Sequence, residues 1–434
     1  MDFLDTLIQK RNGKKLTKKQ IDDFVTGVTN GTIPDYQISS FLMAVYFQSL
    51  DEEETAQLTL AMANSGETLD LSEIAGFKVD KHSTGGVADT TTLILAPLVA
   101  SLGVPVVKMS GRGLGFSGGT IDKLESIPHF NVEVTQQQAL QWAKQSNIVI
   151  MGQSKNLTPA DQKLYALRDV TATVESIPLI ASSIMSKKMA AGADGIVLDV
   201  KCGNGAFMKT LEDAQKLGNC MAAMGHHVGR KITVVISSMA QPLGNYIGNS
   251  LEVIEAIETL KGKVQGDLLE VSITLGANML LLAQKVTTLE QGKQLLLENI
   301  KNGKGLAKLK ELIQQQSGNS DVINDYTILP ISNYKMCLKA TTSGYIYDMD
   351  TAGIGRASQQ TGAGRKQKTD VIDFGAGIVL KKRLGDSVTE NEVIAEVYSS
   401  TEQKCQSALS LLQNAISIQN IPPKQTPLIL DVIS

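Results

Sequence analysis

The sequence predicts an α/β protein with an all-helical N-terminal domain, a larger, mainly parallel α/β domain and a small α+β C-terminal domain. Three observations carry this. Apolar residues in the first stretch recur at helical spacing. From about Gly76, short apolar runs alternate with helical patterns, the order expected of a parallel sheet covered on both faces. From Lys339 the texture changes to short β runs separated by glycine turns. The boundaries follow. Residues 1–65 form the helical domain, joined by a returning helical segment at 160–192. Residues 70–159 and 193–330 form the α/β domain, and 339–434 the C-terminal domain.

In the N-terminal domain, Phe3, Leu4, Leu7 and Ile8 lie on one helical face. Thr17 and Gln20 have the spacing of a capping box, and Ile21, Phe24, Val25 and Val28 follow as an apolar stripe. Gly31 to Pro34 break that helix. A third helix carries Phe41, Leu42, Val45 and Tyr46. Asp51 can cap a fourth, with Glu52 to Glu54 in the first turn, where negative charge suits the helix dipole.

In the α/β domain, Phe77-Lys78-Val79 leads into Lys81-His82-Ser83-Thr84-Gly85-Gly86, and Val104 to Val107 leads into Lys108-Met109-Ser110-Gly111-Arg112-Gly113. A buried helix spans Thr90 to Leu102, with Pro97 expected to kink it or end it early because proline has no N–H to donate. A second helix opens at Gly119. Ile148 to Met151 is a buried strand. Pro159 to Val174 returns to helix, Pro178 interrupts the pattern, and a short helix runs from Ser182 to Ala191. Gly195 to Val200 is the next strand and ends in another lysine and glycine loop, Lys201 to Gly205. A helix through Met221, a strand at Ile232 to Ile236, and helices at Leu251 to Leu260 and Val271 to Leu282 complete the domain. A polar stretch, Ser317 to Asp325, precedes the C-terminal runs at Gly344, Gly377 and Val393.

The two loops after the first strands have the chemistry of an anion site. Glycines let the backbone approach a ligand, and the following helix offers unpaired N–H groups. Ser83, Thr84, Ser110, Ser117 and Thr120 add hydroxyl donors, and Lys81, Lys108 and Arg112 add positive charge. That mixture suits phosphate. One such loop could equally be a surface turn. Two of the same chemistry, one βα unit apart, point to a site.

Composition narrows the partners. A net charge of −3 argues against a general nucleic-acid binder. Cys202, Cys220, Cys337 and Cys405 are scattered, which argues for reduced thiols in the cytoplasm and against structural zinc. His226 and His227 lack a third ligand at useful spacing. The N-terminus reads as no signal peptide, and no apolar run is long enough to span a bilayer, so no membrane partner is expected.

The segment KHSTGG…KMSGRGL…SGGTIDKLESIP, followed by YALRDVTATVESIPLIASSIMSKKMAAGADGIVLDVKCGNGAFMK, resembles the thymidine phosphorylase and pyrimidine-nucleoside phosphorylase family. The likeness covers almost the whole chain, including the C-terminal GAGR…DFGAGIVLKKRLGD. It implies the three-domain fold, an active site in the cleft between the first two domains, and a homodimer through the helical domain. It implies reversible phosphorolysis of uridine, thymidine and deoxyuridine to free base and the pentose 1-phosphate. By resemblance, Lys81, Ser83, Thr92, Ser110 and Thr120 would hold phosphate, with Lys108 in the same loop. Arg168, Ser183 and Lys187 would hold the base, with Tyr165 beside them and His82 near its carbonyl oxygen. His82, Arg168 and Lys187 would act in catalysis, because negative charge moves onto the departing pyrimidine. Dedicated thymidine phosphorylases tend to carry Met at the position of Lys108, so the resemblance favours acceptance of both ribosides and deoxyribosides.

The resemblance also implies a potassium ion at Ala88, Thr90, Leu243, Tyr246 and Glu255, mostly through backbone carbonyls. Four departures from the family pattern stand out. Ala88 replaces the last glycine of the usual GGVGD, and Phe116-Ser117 replace His-Thr. Cys202 and Asn204 replace Thr and Ala, and Asn245-Tyr246 replace Arg or Tyr and Ala. If residue 88 needs a positive φ, alanine strains it. The competing readings are a thymidine-preferring phosphorylase, a phosphoribosyltransferase of the anthranilate type, which would need acidic residues for magnesium and diphosphate, and a catalytically silent nucleoside-binding paralogue.

Overall fold

The computed structural model describes residues 3–434 apart from 114, 116, 117, 155 and 368; Phe116 and Ser117 therefore lie outside the described residues. Helices α1 (Phe3–Arg11), α2 (Lys18–Thr29), α3 (Asp35–Gln48) and α4 (Glu52–Ala63) open the chain. The expected Thr17–Gln20 capping box forms, and the Asp51 cap is completed by Glu54 into a second box. The apolar faces meet in a core centred on Phe24, whose ring lies 5.4 Å from Phe3 and 4.2 Å from Phe41.

The central part runs β1 (Val79–Ser83), α5 (Thr91–Ser101), β2 (Val106–Ser110), α6 (Thr120–Glu125), α7 (Gln136–Ser146), β3 (Ile148–Gly152), α8 (Pro159–Arg168) and α9 (Ile177–Ala190). It continues with β4 (Gly195–Cys202), α10 (Leu211–His227), β5 (Lys231–Ser238), β6 (Tyr246–Gly248), α11 (Asn249–Leu260), α12 (Asp267–Leu282), α13 (Leu289–Lys301) and α14 (Lys304–Gln315). Strands β1, β4 and β5 are parallel neighbours, and β2 pairs in parallel with β3. The Val79 N–H donates to the Pro105 carbonyl at 3.0 Å, linking the two ladders. Side chains alternate across β4. Val197 joins the core under α5 and α12, while Ile196, Leu198 and Val200 join the core under α9 and α10.

Helices α8 and α9 return to the N-terminal bundle, where Ala160, Leu164 and Leu179 complete its core. Further along α9, Ala181, Ile184 and Met185 pack instead against β4. One helix thus belongs to two cores.

Helix α5 spans Thr91–Ser101, close to the expected Thr90 to Leu102, whereas α8 and α9 depart from their expected boundaries. Pro97 does not end α5, which continues to Ser101. Every residue from Thr91 to Ala100 is buried, and that packing outweighs the ~3 kcal/mol cost of proline inside a helix. Helix α8 stops at Arg168 instead of Val174, because the Arg168 side chain bonds the carbonyls of the following turn. Pro178 sits in the first turn of α9, where its missing N–H would have had no partner, so the helix begins at Ile177.

The C-terminal part comprises β7 (Tyr334–Lys339), β8 (Gly344–Met349), α15 (Thr351–Ser358), β9 (Gly377–Leu380), β10 (Ser387–Val388), β11 (Val393–Ser399), α16 (Glu402–Ala415), β12 (Ile416–Gln419) and β13 (Ile429–Ile433). Two antiparallel sheets enclose a core with Ile346, Ile378, Val397 and Leu412. The expectation that residues out to 434 stay in this unit fails at its end. Strand β13 crosses back and pairs antiparallel with β5. There Ile433 pairs with Val234 and lies against Gly218. In exchange, β6 pairs with β9 in the C-terminal sheet.

Candidate active site

Strand alternation sorts the first motif. Asp80 and His82 share the face of β1 toward α9, while Lys81 and Ser83 share the opposite face toward α5. The ends of β1 and β2 and the starts of α5 and α6 form the floor of a cleft of about 870 Å³. Lys81, Ser83, Thr92, Lys108, Ser110 and Thr120 all line it. His82, Tyr165, Arg168, Ser183 and Lys187 line the rest.

Lys81 belongs to a buried, charge-balanced cluster. Its Nζ donates to Thr91 Oγ1 at 2.7 Å and lies 3.6 Å from Asp89 and 3.5 Å from Asp199. Lys201 supplies the second cation, 2.7 Å from Asp199 and 3.9 Å from Asp89. Burial alone would raise Asp89, but Lys201 and Lys81 hold its carboxyl well below the usual range.

A second cluster lies across β1. Lys188 Nζ donates to Asp80 Oδ2 at 2.7 Å and to the Met109 carbonyl at 3.2 Å. Lys108 donates to the Lys81 carbonyl and lies 3.6 Å from Asp80. Burial and the nearby Lys188 bring the Lys108 ammonium down to about 7, against the pull of Asp80. His82 feels the same field. Burial first, then Lys188, Lys108, Lys187 and Lys81, push its imidazolium well below its ordinary range. His82 is therefore neutral at pH 7 and offers one ring N–H, not a cationic acid.

On the opposite wall, Arg168 donates from Nε to Thr173 O at 3.2 Å, from Nη1 to Leu179 O at 3.0 Å and from Nη2 to Val174 O at 2.6 Å. Those bonds engage three of its five N–H groups. Burial lowers its pKa, yet a guanidinium stays charged at neutral pH. Lys187 Nζ donates to Asp161 Oδ2 at 2.7 Å and to Ser183 Oγ at 2.9 Å. Both cations stand beside the Tyr165 ring, at 5.8 and 5.9 Å from its centroid.

Asp80, Asp161 and Lys188 carry no role by resemblance, although Lys188 lies inside the quoted SKK motif. A role for Asp161 was within reach: Asp161, Tyr165 and Arg168 recur at i, i+4 and i+7 on α8, one face of the helix. Asp80 and Lys188 pair over 108 residues, a separation no local pattern reports.

The residues suggested for a cation also gather, behind the floor. The Ala88 carbonyl accepts from Gly244 N at 3.2 Å, and Glu255 accepts from the N–H groups of Asn245 at 2.6 Å and Tyr246 at 3.2 Å. Thr90 donates to Glu252, which pairs with Lys123 at 2.6 Å. Arg383 donates to Leu243 O at 3.3 Å. Burial drives Glu255 up to about 7, with Glu252 adding repulsion. A buried carboxylate beside backbone carbonyls is a donor set that fits a hard monovalent cation.

Three family models match successive parts of the chain. Residues 4–66 match the glycosyl transferase family helical bundle domain, and residues 75–306 its a/b domain. Residues 345–419 match the pyrimidine nucleoside phosphorylase C-terminal domain. The pyrimidine-nucleoside phosphorylase of Geobacillus stearothermophilus is 52% identical over 434 residues, all of both chains. The chain belongs to the pyrimidine-nucleoside phosphorylase family. Phosphorylases of the same name from Staphylococcus epidermidis, 54% identical over 97% of each chain, and Bacillus subtilis, 54% over 93% of each, agree. Among solved structures, anthranilate phosphoribosyltransferase from Thermus thermophilus has a TM-score of 0.61 at 18% identity, over 73% of this chain and 100% of that one. That likeness is one of fold.

Two departures from the pyrimidine-nucleoside phosphorylase pattern acquire a physical meaning. Ala88 has a φ of 55°, the strained value for alanine that the glycine position implied. Asn204 joins two units: its Nδ2 donates to Met349 O at 2.7 Å, and its Oδ1 accepts from Thr351 N at 3.2 Å.

Proposed function

We infer that the protein catalyses the reversible phosphorolysis of pyrimidine nucleosides. The observation that carries this is one cleft with an anion floor of lysines and hydroxyls facing a wall that bears Arg168 and Lys187. Lys81, Ser83, Thr92, Ser110 and Thr120 hold phosphate on the floor, with Lys108 beneath it. A phosphate oxygen attacks the anomeric carbon as the glycosidic bond breaks, and the bonding pair leaves with the pyrimidine. Lys187 and the spare N–H groups of Arg168 meet the charge that develops on the ring, and Ser183 fixes its edge. The neutral His82 donates its N–H toward the base carbonyl. Burial of both substrates favours attack by phosphate over water. The absorbance change on cleavage of uridine, with and without phosphate, tests this. Phosphate-independent or absent cleavage would refute it.

The substrate range extends to uridine, thymidine and deoxyuridine, because the Lys108 amine can bond a ribose 2′-hydroxyl. Lys108→Met is expected to lower kcat/KM for uridine about tenfold more than for thymidine, the worth of one hydrogen bond to a charged donor. Lys108 is a cation below about pH 7 and a neutral amine above it. The advantage of wild type over Lys108→Met in kcat/KM for phosphate should therefore shrink as pH rises through 7. The phosphate's own ionisation is common to both enzymes and cancels in the ratio.

Potassium would be held by Glu255, Thr90 and the carbonyls of Ala88, Leu243 and Tyr246, where it neutralises the Glu255 carboxylate. Replacing choline chloride by potassium chloride at equal ionic strength should raise the melting temperature by about 1 °C or more, and Glu255→Gln should abolish the difference. We also infer a homodimer through the helical domain. Tyr36 and Phe47 are 73% and 74% exposed there, and Tyr46 packs edge-on to Phe47 at 5.5 Å. The mass in solution tests this. Free thiols at all four cysteines fit a cytoplasmic enzyme, and no described helix is long and apolar enough to cross a membrane.

A further inference from the structure

We propose that Arg365, carried by the C-terminal part of the chain, is a positioning residue for the phosphate end of the cleft. The proposal rests on the reading of that end as the phosphate site.

Arg365 lines the cleft and is largely buried. Its Nη1 donates to Asp122 Oδ1 at 2.8 Å and to the Gly113 carbonyl at 3.3 Å. Asp122 is 1% exposed and lies in the first turn of α6; its Oδ2 accepts from Gly113 N at 2.6 Å. The backbone of residue 365 is itself fixed, because its carbonyl accepts from Gly115 N at 3.1 Å and from Gln359 Nε2 at 2.8 Å. The guanidinium and the carboxylate thus hold the backbone just after β2 against the start of α6.

The crossing is tight. A Cβ on Gly119 would fall 2.0 Å from Gly113 N and 2.7 Å from Asp122 Oδ2. Ile121 N also donates to Gly111 O at 3.3 Å. Ser110 immediately precedes this crossing and Thr120 lies within it, between Gly119 and Ile121, so the crossing fixes how far apart their hydroxyls stand. Misplacement by even 1 Å of groups that orient a reactant is costly. The C-terminal part also backs the other phosphate loop, since Val87 and Ala88 pack into its core. Arg365 acts on phosphate through Asp122 and Gly113 and needs no bond to the anion.

The test uses the full-length enzyme. Arg365→Gln is expected to raise the KM for phosphate about tenfold while the KM for uridine changes less than about twofold. Arg365→Lys, which keeps the charge on Asp122, should recover part of that rise. Asp122→Asn keeps an acceptor for Gly113 N but loses the ion pair, and should reproduce the Arg365→Gln pattern; it carries the test if Arg365→Gln does not fold. A purely structural ion pair would lower the melting temperature and leave the phosphate KM alone, or raise both KM values together, and either result overturns the proposal. Lys81→Met separates this from the underlying reading. If Lys81→Met leaves the phosphate KM at the wild-type value, the phosphate site itself is misassigned. If it raises that KM and Arg365→Gln does not, only the role of Arg365 falls.

Discussion

Lys81→Ala is expected to lower kcat/KM for phosphorolysis by about 10³-fold or more, with the chain still folded. The size follows from charge balance. Lys81 and Lys201 together neutralise Asp89 and Asp199 beneath the floor. Removing Lys81 leaves one uncompensated carboxylate under the place a phosphate dianion must occupy. The variant thus loses an attraction and gains a repulsion. Folding survives because Lys201 stays 2.7 Å from Asp199 and Ser237 still donates to it at 2.6 Å. The loss should be far larger for phosphate attack than for any change in melting temperature. Activity within tenfold of wild type would remove Lys81 from the mechanism. Arg168→Ala is a poorer probe, since its guanidinium also ties down Thr173, Val174 and Leu179.

Glu54→Gln is expected to destabilise the helical unit by about 3–5 kcal/mol. Glu54 and Lys10 are each 3% exposed, and the Lys10 ammonium lies 2.9 and 3.0 Å from the two carboxylate oxygens. The same carboxylate accepts from the backbone N–H of Leu16 at 2.8 Å and of Asp51 at 2.9 Å. Neutralising Glu54 strands a buried cation, and because Leu16 N and Asp51 N bond different carboxylate oxygens, the single amide oxygen of glutamine can keep only one of those bonds. A shift in the urea midpoint followed by circular dichroism measures it. The double variant Lys10→Met, Glu54→Gln should recover much of the loss, because no charge is then buried alone. Equal destabilisation in single and double variants would contradict that cause.

What the sequence made legible depended on how far each cause lies along the chain. The Thr17–Gln20 box and the Asp51 cap set helix starts over three residues, and both are present. The apolar run Gly377 to Leu380 is a strand at the residues that suggested it. Helix α5 keeps close to its expected span, and what carries it through Pro97 is burial on all sides, which proline's local chemistry does not report. The return of β13 to β5 is invisible for the same reason, as its partner lies far upstream. In the cleft, the glycine loops announced themselves by composition. The groups that hold those loops did not: Asp80 meets Lys188, and Asp122 meets Arg365 across 243 positions. Long-range ion pairs leave no periodicity to read.

The crossing of β13 has a consequence for synthesis. Among the described residues, the outer edge of β5 has its ladder partner in residues 429–433. A ribosome delivers those residues after every other strand described here, so the half-made sheet carries an open, sticky margin throughout elongation. Shortening the chain by that segment would make the exposure permanent, and clumping of nascent protein would follow from a deletion far from the chemistry.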